Sequence, residues 1–302
     1  MRYNKPVLTI DEQIDLLRAR GLKIKDSDRA KKYLTTVGYF RLTGYMFHLQ
    51  ANDGSHAFLR DTEFDEIITL YQFDKSLRNL LSEYIERIEV AMRSLLSNEF
   101  SYKYGFFWYA DHNLYADKNV HEIIIKHIGE SFSKASELYL RSFQRKYTSE
   151  SYPPSNMAME ILTFGKIARL YAGLNNDTEK QNIAMSFVLP SHILSSWITY
   201  IANVRNICAH HSRLWNKKVT VDRFKIPARE KYKFQGSIPD DFNTTVYGII
   251  SIINRLLSSI NPGNTFISKI ETLINSFPEI DVIDMGFPDD WENNATWKYP
   301  DG

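Results

Sequence analysis

Leu77, Leu81, Ile85, Ile88, Met92 and Leu95 follow one another at intervals of three and four residues. An α-helix brings such positions onto one side, because 3.6 residues complete each turn. From Glu63 to Phe100 neither proline nor glycine interrupts the run, so one long helix is predicted there. An apolar stripe of that length must be covered by other helices along its course. Glu89 and Arg93, and likewise Asp74 and Arg78, are i,i+4 pairs expected on the side away from the stripe.

The rest of the chain reads the same way. Thr9 with Glu12 forms a capping box opening a helix that ends near Gly21. A second helix is expected from Asp26. Residues 37–49, "VGYFRLTGYMFHL", mix aromatics with two glycines and are expected to be a tight, irregular packing segment. "ANDGS" at 51–55 reads as a turn and "YPPS" at 152–155 as a break. Helices are predicted over 118–146, 156–174 and 177–187. Pro190 then opens one of about 25 residues, Ser191 to Trp215. The alternation in 217–227 suggests a short strand or hairpin arm, and helices follow at 240–260 and 264–275. No strand alternates with a helix, which argues against a parallel-sheet nucleotide-binding fold. The expectation is all-α: residues 1–60 as an N-terminal helical extension, 61–262 as a helical core, and 263–302 as a C-terminal helix and tail packed on it.

Composition narrows the function classes. With 37 Lys and Arg against 36 Asp and Glu, the net charge of +1 excludes a globally basic nucleic-acid coat. A single cysteine rules out an intrachain disulfide and fits a cytoplasmic location. The N-terminal residues lack the apolar core of a signal peptide, and no membrane span is expected. Phosphate-loop, dinucleotide-glycine and nucleophile-elbow patterns are all missing.

The polar chemistry gathers in "RNICAHHSRLWN", Arg205 to Asn216. On one straight helix Trp197, Ile201, Val204 and Cys208 form an apolar stripe that would continue through His211 to Trp215. Cys208 then reads as a core residue, and His211 as a half-buried histidine bonded within the bundle. Asn206, His210, Arg213 and Lys217 fall on another stripe, either a solvated face or the lining of a cleft. Adjacent histidines diverge on a helix, and those at 48, 56, 112, 121, 127 and 192 supply no pair at ligand spacing. Neither a metal nor a cofactor is expected. Arg205 lies about 140° around the axis from His210. One chain then brings the two together poorly, whereas two copies across a two-fold axis could share a site. From Arg205 to Lys233 nine cations face two carboxylates, a local +7, with Trp215, Phe224, Tyr232 and Phe234 interleaved. That mixture suits single-stranded nucleic acid, and equally a solvated basic loop.

Arg205-Asn206-x-x-x-His210 matches the R-x4–6-H motif of HEPN ribonucleases. The strings "YFRLTGY" (39–45), "LYQFDKSLRNLL" (70–81), "IERIEVAMRS" (85–94), "MEILTFGKIARLY" (159–171), "RNICAHHSRLWN" and "MGFPDDW" (285–291) appear in that order. Together they resemble the Abi-like family, bacterial abortive-infection proteins of the AbiD and AbiF type. The resemblance implies a HEPN-type helical bundle, a role in anti-phage defence, and metal-independent RNA cleavage by a toxin restrained by a small RNA. Carried over, Arg205 and His210 are the catalytic pair and Asn206 the polar second position.

Those residue types suit the reaction. RNA carries its own nucleophile, the 2′-hydroxyl, and imidazole ordinarily titrates near neutrality, so it can move the proton. A guanidinium stabilises the charge on the phosphorane. The expected products are 2′,3′-cyclic phosphate and 5′-hydroxyl ends. Arg213, Lys217 and Lys218 are expected to hold the RNA backbone. Glu89 and Arg93 read either as supports of the site or as a surface ion pair. A non-catalytic RNA-binding regulator and a helical protein-interaction module are the competing readings.

Overall fold

The computed structural model describes Arg2 and residues 6–296; the end of the expected tail, 297–302, lies outside the described residues. Twelve α-helices and several 3-10 turns appear among the described residues, with isolated β-bridges but no strand. The all-helical expectation holds. The chain divides into two compact units, residues 1–78 with 272–280, and residues 79–271 with 281–302.

In the first unit, α1 (Ile10–Ala19) opens with the expected capping box. Thr9 accepts from the Glu12 N–H at 3.3 Å, and its own N–H donates to Glu12 at 2.7 Å. Asp26 caps α2 (Ser27–Thr36). The stretch expected to be irregular is instead a helix, α3 (Tyr39–Met46), followed by a 3-10 turn at Phe47–Leu49. Gly38, at φ 93°, takes the backbone conformation that lets the chain enter α3. Leu42, Tyr45 and Met46 then face the core. Tyr45 donates to Asp74 at 2.6 Å, and Asp74 is also ion-paired with Arg78. Asp74 and Arg78 are both buried, so this pair is part of the core and not of an outer face. Tyr45 is the reason: its hydroxyl and the guanidinium together satisfy a carboxylate that could not otherwise leave water.

The long helix, α4, runs Phe64–Tyr104, 41 residues. Leu77, Leu81, Ile85, Ile88 and Met92 are buried as expected, but the stripe then passes to Leu96 and Phe100, with Leu95 half-buried. In the second unit the predicted 118–146 helix is two, α5 (Lys118–Ser133) and α6 (Leu138–Lys146). The buried stripe Val120, Ile124, Ile128 and Phe132 stops there, and the polar run 134–137 offers nothing to extend it. The 156–174 stretch likewise divides into α7 (Ser155–Ile161) and α8 (Phe164–Gly173). Then come α9 (Thr178–Ser186), α10 (Ser191–Ala209), α11 (Val246–Ile260) and α12 (Phe266–Asn275). Within the second unit α10 packs on α8, α9 and α11.

Two expectations fail around α10. The helix ends at Ala209, six residues short of Trp215, because His211 takes a left-handed φ of 55°. The 217–227 segment is not a strand. Its backbone bonds instead to the 243–244 turn, with the Val219 N–H donating to the Thr244 carbonyl at 2.9 Å, and to side chains of α10. Trp197 donates to the Lys225 carbonyl at 2.8 Å and Tyr200 to the Val219 carbonyl at 3.2 Å, while Ser196 accepts from the Lys225 N–H at 2.9 Å. Phe224 and Phe234 pack against Trp197, with the Arg255 guanidinium 5.5 Å from the Trp197 and Phe234 rings. Aromatic packing thus pins this irregular segment to the helix.

Candidate active site

A cleft of ≈ 530 Å³ lies where the last turns of α10 meet the middle of α4. Ser82, Glu86, Glu89, Val90 and Arg93 of α4, Glu160 of α7, and Arg205 and Ala209 of α10 line it. Glu89 is its hinge of charge. One carboxylate oxygen pairs with Arg93, and the other lies 3.7 Å from Arg205 Nε. Arg93 in turn donates to the Met159 carbonyl at the end of α7. The Glu89 and Arg93 side chains are each 12% exposed, against 42% for Arg205. A shielded, doubly anchored pair therefore orients a guanidinium that keeps access to solvent. The pair is thus shielded and not a solvated surface pair, and of the two readings of Glu89 and Arg93 the surface one is excluded.

The other expected site residues distribute differently. His210 caps α10 and is exposed; its backbone N–H bonds to the Asn206 carbonyl at 2.9 Å. It follows Ala209 directly but is not part of the cleft lining. Asn206 is exposed, outside the lining and one turn before His210. The expected stripe from Asn206 to Lys217 does not exist as a helical face, because the helix stops between them. Arg213 is half-buried in the turn after α10. Lys217 and Lys218 line a second cavity that shares no residue with the first, and Lys218 is ion-paired with Asp241.

His211 also departs from expectation. It is exposed, and its N–H bonds to the Cys208 carbonyl at 3.0 Å. The apolar stripe of Trp197, Ile201, Val204 and Cys208 is buried as predicted but ends at Cys208. Trp215 is buried as well, reached through a turn and not along the helix.

Glu86 and Glu160 were not anticipated. Glu86 had a legible signal: Ser82, Glu86, Glu89 and Arg93 repeat at four, three and four along α4, a polar stripe beside the apolar one. Glu160 had none, since it reaches the cleft from a helix far away in sequence. Among the described residues no group of three or more His, Cys, Asp or Glu could hold a metal ion.

A family model described as Abi-like protein matches residues 32–216. The chain belongs to the Abi-like protein family. The matched segment takes in five of the six strings read from the sequence, and with them Arg205, Asn206 and His210; "MGFPDDW" lies beyond it. No curated protein and no solved structure matches the chain. No described helix of this Abi-like protein is long and apolar enough to cross a membrane.

Proposed function

We propose that this Abi-like protein is an abortive-infection ribonuclease of the HEPN type, acting on RNA without a metal ion. The observation that carries the reading is Arg205: half-exposed on a cleft, fixed by Glu89 and Arg93, five residues before an exposed His210. The guanidinium offers N–H donors beyond the one facing Glu89 to a phosphate. The 2′-oxygen attacks phosphorus and gives up its proton as the bond to the 5′-oxygen breaks and that oxygen is protonated. His210 performs one of these proton transfers, and Arg205 stabilises the charged phosphorane. Asn206 positions His210 from the preceding turn.

Two chains complete the site in this proposal. His210 has φ −85° and ψ 7°, so it continues the turn of α10 and stays on a different side from Arg205. Cleft carboxylates from Glu86, Glu89 and Glu160 outnumber its two guanidiniums, so a lone cleft attracts phosphate poorly. A second copy would add His210 and the cations after it. Arg213, Lys217 and Lys218 would hold the RNA backbone, and a small RNA bound there without cleavage would restrain the toxin.

The test is cleavage of labelled RNA in EDTA by the wild type, Arg205→Ala and His210→Ala. One observation favours a second reading, a non-catalytic RNA-binding regulator. Arg223, Lys225, Arg229, Lys231 and Lys233 are all exposed on the segment after α10. Salt-dependent RNA binding with no product under any condition would select that reading.

A further inference from the structure

The cleft around Arg205 holds more carboxylates than guanidiniums, so an RNA strand entering it needs cations at its margin. One helix of the same unit carries them. Residues 138–147, "LYLRSFQRKY", contain three cations and no carboxylate. They make up α6 and the residue that ends it.

The packing of α6 leaves that charge outside. Leu140 is its one buried residue, with Phe143 and Gln144 half-buried beside it. Gln144 donates to the Phe132 carbonyl at 2.6 Å and the Phe143 ring lies 6.2 Å from that of Phe132, so α6 is pinned to the end of α5. At 100° per residue, Leu138, Arg141, Ser142, Arg145 and Lys146 fall on the opposite side, and all five are exposed. Arg141 and Arg145 stand four residues apart and repel one another. Neither they nor Lys146 form an ion pair among the described residues. The helix dipole accounts for Arg145 and Lys146 in the last turn, whereas Arg141, in the N-terminal half, works against it. Leu138 and Tyr139, 74% and 38% exposed, gain nothing from the dipole either.

Position links α6 to the cleft. α5 packs on α7, and α7 carries Glu160 to the cleft wall. The Tyr139 phenol is pushed up first by burial and then by the Glu160 and Glu137 carboxylates, with the Arg93 guanidinium opposing them. Glu160 and Arg93 both line the cleft, so the Tyr139 ring stands beside it while keeping contact with solvent. Lys146 follows Tyr139 along the same edge of α6, two turns on.

We propose that α6 is an arm that holds single-stranded RNA at the mouth of the cleft. Arg141, Arg145 and Lys146 bond its phosphates, and Tyr139 stacks on the base nearest the cleft. Exposed cations beside an aromatic suit a single strand, whose bases are free to stack, better than a duplex. The proposal rests on the RNA reading above for its ligand and names the element that binds it.

Anisotropy titration of the full chain with a labelled 2′-O-methyl single strand of about twelve nucleotides, which lacks the 2′-hydroxyl nucleophile, tests it. The triple variant Arg141→Gln, Arg145→Gln, Lys146→Gln is expected to bind about tenfold or more weakly and to reduce the slope of log affinity against log salt by about 2. Tyr139→Ala is expected to lose about fivefold or more at an unchanged slope, and Tyr139→Phe to keep wild-type affinity. In RNA cleavage these losses should appear in KM and not in kcat. Lys31→Gln, Lys32→Gln and Lys75→Gln together, at exposed positions of the first unit, should leave binding nearly unchanged. The proposal is overturned if the α6 triple variant keeps the wild-type slope, if the control triple variant loses as much, or if Tyr139→Ala binds like wild type. It is overturned as well if Tyr139→Phe loses as much as Tyr139→Ala, or if duplex RNA binds as tightly as the single strand. Binding through α6 without cleavage of ordinary RNA would sink only the ribonuclease reading. Cleavage that the α6 variants leave untouched would sink only this one, and a wild type that binds no RNA would sink both.

Discussion

At the scale of single residues, the candidate site is organised by a carboxylate that touches two guanidiniums. Glu89 holds Arg205 in place while Arg93 and the Met159 carbonyl hold Glu89. Glu89→Gln preserves the shape but removes the charge that orients Arg205. RNA cleavage is expected to fall on the order of 10²-fold, chiefly in kcat, since misplacement of a catalytic group by about 1 Å has that effect. Unchanged single-turnover rates in a folded Glu89→Gln protein would remove Glu89 from the account. His211 makes a different prediction. Its left-handed backbone ends α10 at low cost for glycine and at about 1–2 kcal/mol for a β-branched residue. His211→Val is therefore expected to melt at a lower temperature than His211→Gly, by the difference in backbone cost; equal melting temperatures of the two variants would remove the left-handed turn from the account. Of the cleft's lining the sequence singled out Glu89, Arg93 and Arg205, missed Glu86 and Glu160, and joined to them Asn206 and His210, which lie outside it; it also misjudged His211. Stripe analysis assumes the helix continues, and nothing in "AHHS" marks a left-handed turn as glycine would.

At the scale of elements, long helices were legible and their interruptions less so. The stripe on α4 and the caps at Thr9 and Asp26 were read correctly, because they depend on neighbours within one turn. The break between α5 and α6 and the irregular course of 217–227 depend on partners distant in sequence, such as Trp197 and Tyr200. The polar stripe through Glu86 and Glu89 was present in the sequence, but only the approach of α10 distinguishes it from a solvated face. One junction can be tested by pH. At the end of α4, Lys103 lies 2.8 Å from Glu179 in the first turn of α9. Burial alone would push the Glu179 carboxyl up, but the Lys103 ammonium and hydrogen bonds from Tyr104 and its own backbone N–H outweigh it and hold the group below the usual range. A carboxyl depressed in the fold stabilises fully above its unfolded pKa of about 4.3 and loses that contribution as pH falls through the folded value. Urea midpoints should thus be lower for Glu179→Gln than for wild type at pH 7, with the gap closing below pH 4. A gap of the same size at both pH values would mean the charge is not what joins these helices.

At the scale of the whole molecule, the family and the all-helical architecture are secure, and the proposed activity places a shared active site between two chains. The helical phase of Arg205 and His210 is the physical ground for that arrangement. It predicts complementation, because a dimer of two differently damaged chains contains one undamaged Arg205–His210 combination. The decisive measurement is cleavage of labelled RNA in EDTA by wild type, Arg205→Ala, His210→Ala and an unfolded-and-refolded equimolar mixture of the two variants. Wild type should release 2′,3′-cyclic phosphate ends and each variant should be silent alone. The mixture should recover about a quarter of wild-type activity, since half the dimers are mixed and each carries one intact site of two. An inert wild type, or a single variant as active as wild type, would contradict the ribonuclease; two silent variants whose mixture stays silent would contradict the shared site.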